Sequence, residues 1–297
     1  MKKRDIFLAT FEMDAENVIR KHGIGIEFNQ FCISSTLFDV RRALACRAMQ
    51  AQLDRLGLKA PYDTVCHGPF TEILPEAIDT EFVDLALKRM GQAVDGCKTL
   101  GVNRLVVHSG YYPTLYFRDW HRDKSVYFWS KLLEVCPEDF HVYLENVLDS
   151  EPTCLLEVVE KIDDPRLELC LDIGHAHCAT EPKYTVYDWI KLWGKRIGHF
   201  HFHNNNGTGD QHNSIFKGTM FIPDVLACID ENCKDEATIT VESRDCDATC
   251  GWLKANCDGS EGWSDYELEE EEASSTGWFD QSDDADNGLT NTIDKTE

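Results

Sequence analysis

Residues 197–218, IGHFHFHNNNGTGDQHNSIFKG, begin with a strand pattern and end with a polar loop. In the first part, His199, His201 and His203 alternate with phenylalanine, and this period of two places the three imidazoles on one face of a strand. The asparagines and glycines that follow end the strand. A buried strand that carries polar side chains to a loop is the unit that the rest of the chain repeats.

The loop of this stretch adds a second pair of metal-competent side chains, Asp210 and His212. Neutral imidazole nitrogens and carboxylate oxygens are the ligands that suit Zn²⁺, Mn²⁺ or Co²⁺. A polar strand end with solvated histidines is the alternative interpretation. Because the histidines share one face and precede an Asp-x-His pair, the pattern favours a metal site.

Eight short apolar runs, each followed by a polar residue and a loop, occur before residue 243. The runs are residues 6–9, 24–28, 64–66, 104–107, 142–144, 167–171, 197–202 and 238–241. The helical patterns between them include residues 37–56, 81–100, 125–136, 154–161, 185–193 and 223–232. Alternation of buried strands with amphipathic helices predicts a parallel sheet, and eight rounds predict a closed (β/α)₈ TIM barrel in the α/β class.

Six consecutive runs, from the third to the eighth, end in side chains that can bind a metal. These side chains are His67, His108, Glu145, Asp172, the pair His201 and His203, and Glu242. The ends of parallel strands meet at one mouth of a barrel, which is where active sites are built. Burying such groups unpaired is costly, so their convergence predicts a site. Glu27, at the end of the second run, is interpreted as a helix cap and left outside this site.

The composition changes at residue 258. From there to the end, the chain contains 14 acidic residues and one lysine, including the run ELEEEE. Such a segment cannot bury enough apolar surface to offset the entropy of ordering, so a disordered tail is predicted. The predicted domains are therefore a barrel over residues 1–257, whose last helix contains Trp252, and an acidic tail over residues 258–297.

The net charge of −24 argues against several classes of partner. The tail contributes −13, which leaves −11 for the barrel. Proteins that bind nucleic-acid phosphates normally present a basic face, and an anionic membrane would repel this chain. No run approaches the roughly 20 apolar residues that cross a bilayer. Metal ions and small-molecule substrates are compatible with this charge, nucleic acid and membrane are not expected as partners, and the sequence leaves a homo-oligomer open.

The 13 cysteines are odd in number, scattered, and mostly within apolar runs. The N-terminal sequence MKKRDIFLAT has basic residues but only a short apolar run without a small-residue cleavage site. It is interpreted as the first strand and not as a signal peptide. These features predict reduced, buried thiols and a cytoplasmic location.

Two segments after the third and fourth runs are rich in aromatic residues. HGPF places Phe70 near the predicted mouth, and residues 109–124, SGYYPTLYFRDWHRDK, are interpreted as a long loop. That loop could cover the mouth, with Arg118, His121 and Arg122 available for an anionic group. The alternative, which the sequence favours equally, is a loop that packs on the surface without a role at the mouth.

The ordered set of strand-end residues resembles the xylose isomerase-like TIM barrels, a superfamily that includes sugar phosphate isomerases/epimerases and endonuclease IV. The residues that carry the resemblance are His67, His108, Glu145, Asp172-x-x-His175, His201, Asp210-x-His212 and Glu242. The resemblance covers roughly residues 3–245.

The epimerase branch of this superfamily implies one divalent ion, Mn²⁺, Zn²⁺ or Co²⁺, per chain. The ligands implied are Glu145, Asp172, His201 and Glu242. The activity implied is isomerisation or epimerisation of a ketose or sugar phosphate, with Glu145 and Glu242 transferring a proton through a metal-stabilised enediolate. His175, His203 and Arg244 are the predicted substrate contacts.

Endonuclease IV implies the alternative function, a phosphodiesterase with up to three metal ions that cleaves DNA at abasic sites. Five further ligands would join the first four, namely His67, His108, His175, Asp210 and His212. The acidic charge of the barrel argues against this alternative. A non-catalytic binding module on a degenerate barrel is the third hypothesis, which the intact ligand set disfavours.

Overall fold

The computed structural model describes residues 2–11, 14–71, 73–179, 183–260 and 264–268. Eight parallel strands pair in chain order, and β1 also pairs with β8, which closes the barrel. The strands are β1 Ile6–Ala9, β2 Gly25–Phe28, β3 Thr64–His67, β4 Arg104–His108, β5 His141–Glu145, β6 Leu167–Asp172, β7 Ile197–Phe202 and β8 Thr238–Val241. The predicted (β/α)₈ barrel is confirmed.

Helices follow the strands and form the outer layer. In the described residues they are α1 Ala15–His22, α2 Asp39–Leu56, α3 Thr80–Leu100, α4 Arg118–Leu133, α5 Thr153–Ile162, α6 Ile173–Ala179, α7 Val186–Trp193, α8 Ile222–Asn232 and α9 Cys246–Asn256. Short 3₁₀ helices occupy Ser34–Leu37 and Gly194–Arg196. The predicted helix containing Trp252 is α9.

The strand boundaries agree closely with the apolar runs. β1, β7 and β8 have the predicted bounds, and the observed β3 to β6 each extend to the polar residue that follows the run. Those last residues are His67, His108, Glu145 and Asp172. Each side chain is therefore held by the barrel itself and not by a mobile loop.

The barrel contains two separate apolar layers. A small interior cluster consists of Phe7, Val65, Val106, Tyr143 and Cys170, and it fills the centre of the barrel. A much larger cluster packs the outward faces of the strands against the helices. Because side chains alternate along a strand, the residue two positions after an interior residue also points inward, one layer nearer the mouth. The interior cluster thus forms the floor beneath the predicted site residues.

The aromatic segment after β4 is only partly a loop, which corrects the prediction. Helix α4 begins at Arg118, inside the segment interpreted as a loop. His121, Ser125 and Phe128 are buried, and their spacing of four and three residues places them on one helix face. The aromatic residues obscured this period, because they occur on both faces of the helix.

Described residues beyond the predicted boundary at 257 contact the barrel. The ring of Tyr266 lies 5.1 Å from that of Trp252 and 5.2 Å from that of Phe216, measured between centroids. Asp265 accepts a hydrogen bond from Nε1 of Trp252. Residues 269–297, most of the predicted acidic tail, lie outside the described residues.

All 13 cysteines lie in the described residues as free thiols, and only Cys178 is not fully buried. This agrees with the predicted reduced thiols. Within the described ranges, the helices include none that is long and apolar enough to span a bilayer.

Candidate metal centre

The ends of β5 to β8 bring four side chains together, and we call them the main cluster. Its members are Glu145, Asp172, His201 and Glu242. Nδ1 of His201 lies 3.2 Å from Oε1 of Glu145 and 3.4 Å from Oε2 of Glu242. Oδ2 of Asp172 lies 4.0 Å from the same nitrogen. The structure therefore brings together all four residues predicted as the ligands of one ion.

Glu145 is also the meeting point of three further histidines. Its Oε2 lies 3.2 Å from Nε2 of His67 and 3.5 Å from Nε2 of His108. Its Oε1 lies 3.5 Å from Nδ1 of His175. The buried Glu145 side chain can therefore reach groups on either side of the barrel axis.

A second group, which we call the loop cluster, lies beside the main cluster. Its members are His175, His203, Asp210 and His212. Oδ2 of Asp210 lies 3.3 Å from Nε2 of His175, and Oδ1 lies 3.1 Å from Nε2 of His212. Nε2 of His203 lies 3.0 Å from Oδ1 of Asp172, which connects the two clusters. All nine residues predicted as ligands of up to three ions thus meet at one mouth.

The asparagines after β7 build the loop that carries Asp210 and His212. The side-chain amide of Asn204 donates to the carbonyls of Ile215 and Met220 and so joins the two ends of the loop. Gly218 allows this, because a Cβ there would lie 2.4 Å from Oδ1 of Asn204. In the sequence, the asparagines and glycines after β7 predicted only the end of the strand. In the structure, they also fix the shape of the loop.

Two backbone features place the imidazoles of the loop cluster. A Cβ on Gly174 would lie 1.9 Å from Cε1 of His203, so only glycine leaves room for that ring. His212 has a φ of 47°, a left-handed conformation that is uncommon for residues other than glycine. Its ring stacks on that of His203, with 3.9 Å between centroids. Local strain of this kind occurs where function fixes a side chain.

Burial and charge act against each other on the carboxylates of the main cluster. Burial alone would raise the pKa of each. For Glu145 and Asp172, the neighbouring histidines outweigh burial and hold the pKa below its usual range. For Glu242, burial together with the charges of Glu27 and Glu145 raises the pKa to about 7, although His201 opposes this.

The histidines divide into two groups. Burial lowers the pKa of His108 to about 3, against the attraction of Glu145. Burial also lowers the pKa of His175 and His201. Their acidic neighbours outweigh this effect and raise the pKa of both well above the usual value. When no cation is bound, these directions favour the charged forms of His175 and His201 beside the carboxylates. A cation can take the place of those protons.

The main cluster fits a divalent cation. Oδ2 of Asp172 and Oε1 of Glu242 are buried and receive no hydrogen bond from any described residue. Leaving such oxygens unsatisfied destabilises a protein, whereas a cation would satisfy both. One ligand atom from each of the four side chains lies within 4.8 Å of the others. Three carboxylates and one imidazole suit Mn²⁺, Zn²⁺ or Co²⁺.

A cavity of ≈ 100 Å³ opens directly onto these residues. Its polar walls are His67, His108, Glu145, His175, Asp210, His212 and Glu242. Phe11, Phe70 and Val147 form an apolar side. Phe70 was predicted near the mouth, but nothing in the sequence around Phe11 and Val147 distinguished them from ordinary residues that follow a strand.

Two predicted substrate contacts lie elsewhere. His203 is completely buried, stacks on His212 and is not part of the cavity wall, and its Nε2 lies 3.0 Å from Oδ1 of Asp172. A contact of His203 with a substrate stays a prediction. Arg244 is exposed, is not part of the wall either, and donates its backbone N–H to the carbonyl of His212. Its contact with a substrate stays a prediction.

The cations expected to bind an anionic group are engaged in other contacts. Arg118 binds Glu151 and Glu157, and Arg122 also binds Glu157. His121 is fully buried, with Nδ1 3.0 Å from Oε2 of Glu76. Arg118 and Arg122 also pair with the neighbouring Asp119, but the glutamates come from distant parts of the chain, which is why the local sequence could not reveal them.

Comparison with known proteins identifies the family. The family model described as "Xylose isomerase-like TIM barrel" matches residues 22–258. An uncharacterized protein of Methanocaldococcus jannaschii, MJ1311, is 31% identical over 192 residues, which is 61% of this chain and 64% of that protein. The match therefore spans less than two thirds of the relative's length.

Solved structures share the fold at lower identity. A D-tagatose 3-epimerase-like protein aligns with a TM-score of 0.67 and 22% identity, over 86% of this chain and 97% of its own. The TTHB071 protein of Thermus thermophilus, soaked with ZnCl₂, aligns with a TM-score of 0.67 and 21% identity, over 87% and 100%. At this identity the likeness concerns the fold alone. The family match covers most of the barrel, and the chain belongs to the xylose isomerase-like TIM barrel family.

Proposed function

We propose that the chain is a divalent-metal-dependent isomerase or epimerase of a ketose or sugar phosphate. The observation that carries the proposal is the approach of two glutamates, Glu145 and Glu242, to the same nitrogen of His201 in a buried cluster that opens into a cavity. The structural relative named as D-tagatose 3-epimerase-like has the same fold and supports a carbohydrate substrate.

In this proposal, Asp172 and His201 hold the ion, and Glu145 and Glu242 contact both the ion and the substrate. When bound, the ion supplies Lewis acidity, which polarises a substrate carbonyl and acidifies the adjacent C–H. The relative soaked with ZnCl₂ is consistent with a divalent ion in this fold. One ion per chain in the main cluster is sufficient for the reaction.

The two glutamates exchange the substrate proton. Glu145 ends β5 and Glu242 follows β8, so they reach the cavity from strands that are three positions apart around the barrel. One carboxylate removes the proton from one face of the substrate and the other returns a proton to the opposite face. His175 lines the cavity beside Glu145 and orients a substrate hydroxyl, while the apolar side formed by Phe11, Phe70 and Val147 excludes water.

The test is exchange of the substrate's C–H proton with solvent. The full-length protein, loaded with Mn²⁺, is incubated in D₂O with D-tagatose, D-fructose and their 6-phosphates, and loss of the carbon-bound proton is followed by NMR. Glu242→Gln should lower the exchange rate by about 10²–10⁴-fold, the usual contribution of an acid–base group. Glu76→Gln, a fully buried glutamate outside the cavity, is the matched control and should exchange at the wild-type rate.

Two results would contradict the proposal. If the metal-loaded wild type exchanges no proton with any of these sugars, the activity is wrong. If Glu242→Gln exchanges at the wild-type rate, the role of that glutamate is wrong. Metal content is measured for each variant, so that a lost ion is not mistaken for a lost base.

The loop cluster favours one other function, a phosphodiesterase with three metal ions that cleaves abasic DNA. It adds a second group of ligands beside the first. The net charge of −24 opposes this function, because DNA binding normally requires a basic surface. Three ions per chain together with nicking of abasic duplex DNA would reverse our preference.

A further inference from the structure

Glu27 is buried inside the barrel, and the structure corrects its interpretation as a helix cap. It lies in β2, faces the interior beside Val65 of β3, and has no exposed surface. The next helical residue is Ser34, seven positions along the chain, which is too far for a cap. A buried carboxylate in a barrel interior is costly unless it has hydrogen-bonding or charged partners.

Its partners come from β8 and β7, which are two and three positions away from β2 around the closed barrel. Oε2 of Glu27 accepts a hydrogen bond of 2.6 Å from the hydroxyl of Thr240. The same oxygen lies 3.3 Å from Nε2 of His199 and 3.4 Å from Nε2 of His201. Three groups that can donate a proton therefore converge on one carboxylate oxygen.

The protons of this network can be assigned from donors and acceptors. Because Thr240 donates to Glu27, its oxygen is free to accept from Nε2–H of His199, 2.9 Å away. Nδ1 of His199 then accepts from the hydroxyl of Thr238 at 2.6 Å. Both threonines and His199 thus hold the Glu27 carboxylate in one position.

His201 connects this network to the main cluster. Its Nε2 faces Glu27, whereas its Nδ1 faces Glu145 and Glu242 at 3.2 and 3.4 Å. An ion held by Glu145 and Glu242 would occupy the side of Nδ1, which leaves the proton of the imidazole on Nε2, where it faces the Glu27 carboxylate. The lone pair on Nδ1 then points into the main cluster, which is the form of imidazole that binds a metal.

We propose that Glu27 is a positioning residue that holds His201 in the Nε2–H tautomer and so presents Nδ1 to the divalent ion. This rests on the proposed function, which places that ion in the main cluster. Glu27 itself does not touch the ion or the substrate. Outer carboxylates of this kind typically change metal affinity by about 10–100-fold when they are replaced.

The test measures Zn²⁺ affinity of the full-length protein by competition with a chromophoric chelator. Glu27→Gln keeps the size of the side chain but removes its charge, and it should weaken Zn²⁺ binding by about 10–100-fold. Thr240→Val removes the hydroxyl that donates to Glu27 and should cause a smaller loss. Glu76→Gln is the matched control, because Glu76 is equally buried and pairs with His121 outside the main cluster. Its Zn²⁺ affinity should equal that of the wild type.

A second readout reports the tautomer directly. Long-range ¹H–¹⁵N NMR of histidine-labelled, Zn²⁺-loaded protein should show His201 bound through Nδ1 with its proton on Nε2 in the wild type, and a mixture with the form bound through Nε2 in Glu27→Gln. A merely structural role for Glu27 would change the melting temperature but not this equilibrium.

The outcomes separate the two proposals. Wild-type Zn²⁺ affinity in Glu27→Gln, with an unchanged His201 tautomer, overturns the role of Glu27 and leaves the proposed function intact. A wild type that binds no Zn²⁺ overturns both. An equal loss in Glu76→Gln attributes the effect to general destabilisation and also overturns the role of Glu27. If Glu27→Gln does not fold, Thr240→Val decides, and unchanged affinity there contradicts the inference.

Discussion

Nδ1 of His201 lies 3.2 Å from Oε1 of Glu145, although the two residues are 56 positions apart in the chain. They belong to β7 and β5, which are not neighbours in the barrel. Their contact results from closure of the sheet, which turns alternate side chains of every strand towards one axis. Closure of the sheet also buries the three carboxylates of the main cluster close together, and a divalent ion would balance their negative charge.

Removal of metal should lower thermal stability. A ligand at about 100 times its Kd stabilises the folded state by about 3 kcal/mol. For a chain of this size, that corresponds to a fall of about 5–10 °C in melting temperature when EDTA replaces Zn²⁺. Asp172→Asn, which weakens the main cluster, should show a much smaller difference between the two conditions. Equal melting temperatures of the wild type with EDTA and with Zn²⁺ would contradict the prediction.

Asp149 should make stability depend on pH in the acidic range. Its Oδ2 accepts from the hydroxyl of Ser109 at 2.8 Å, and burial raises its pKa to about 6, from about 4 in an unfolded chain. The folded state therefore holds this proton more tightly. The resulting stabilisation is complete below about pH 4 and is lost as the pH rises to about 6.

Asp149→Asn isolates this effect, because asparagine does not titrate. The free energy of unfolding of the wild type, minus that of the variant, should fall by up to about 3 kcal/mol between pH 4 and pH 6 and stay constant above. Urea titrations in EDTA at several pH values give this difference. A difference that rises or stays flat over that interval would show that the carboxyl is not protonated in the folded state.

The two faces of β7 should respond differently to mutation. Phe200 is fully buried on the face opposite His201, with its ring 6.1 Å from that of Phe202. Phe200→Ala should lower the free energy of unfolding by about 3–5 kcal/mol and leave Zn²⁺ affinity of the folded protein nearly unchanged. His201→Ala should instead cause a large loss of Zn²⁺ affinity and a smaller change in the free energy of unfolding. The face assignment fails if Phe200→Ala abolishes Zn²⁺ binding in a folded chain.

Truncation should locate the end of the folded barrel. A chain that stops after residue 268 keeps Tyr266 against Trp252, and we expect it to be as stable as the full chain. A chain that stops after residue 257 exposes Trp252, which should lower the free energy of unfolding by about 1–2 kcal/mol. Equal stability of both truncations would place the boundary at 257 after all.

The fold could be predicted because the information is local and repeated. Each buried strand is a short apolar run, and side chains such as Asp172 and Glu145 directly follow such runs. Parallel strands align their ends, so the order of strands alone predicts that these groups meet. The same logic predicted Phe70 in the cavity.

The remaining features depend on contacts that no local pattern encodes. Glu27 resembles a cap in the sequence, and only closure of the barrel places it against Thr240 and His201. Arg118 resembles a free cation, but α4 packs beside α5, which places Glu157 against it. His203 follows the same alternation as His201, yet β7 ends at Phe202, and His203 is buried against His212 outside the cavity wall.

The central claim is that the ends of β5 to β8 hold one divalent ion. The most direct measurement is an anomalous difference map from crystals of the full-length protein grown with Mn²⁺. We predict one strong peak in contact with Glu145, Asp172, His201 and Glu242. A map with no peak at these four side chains, from crystals in which Mn²⁺ is bound elsewhere or not at all, would contradict the account.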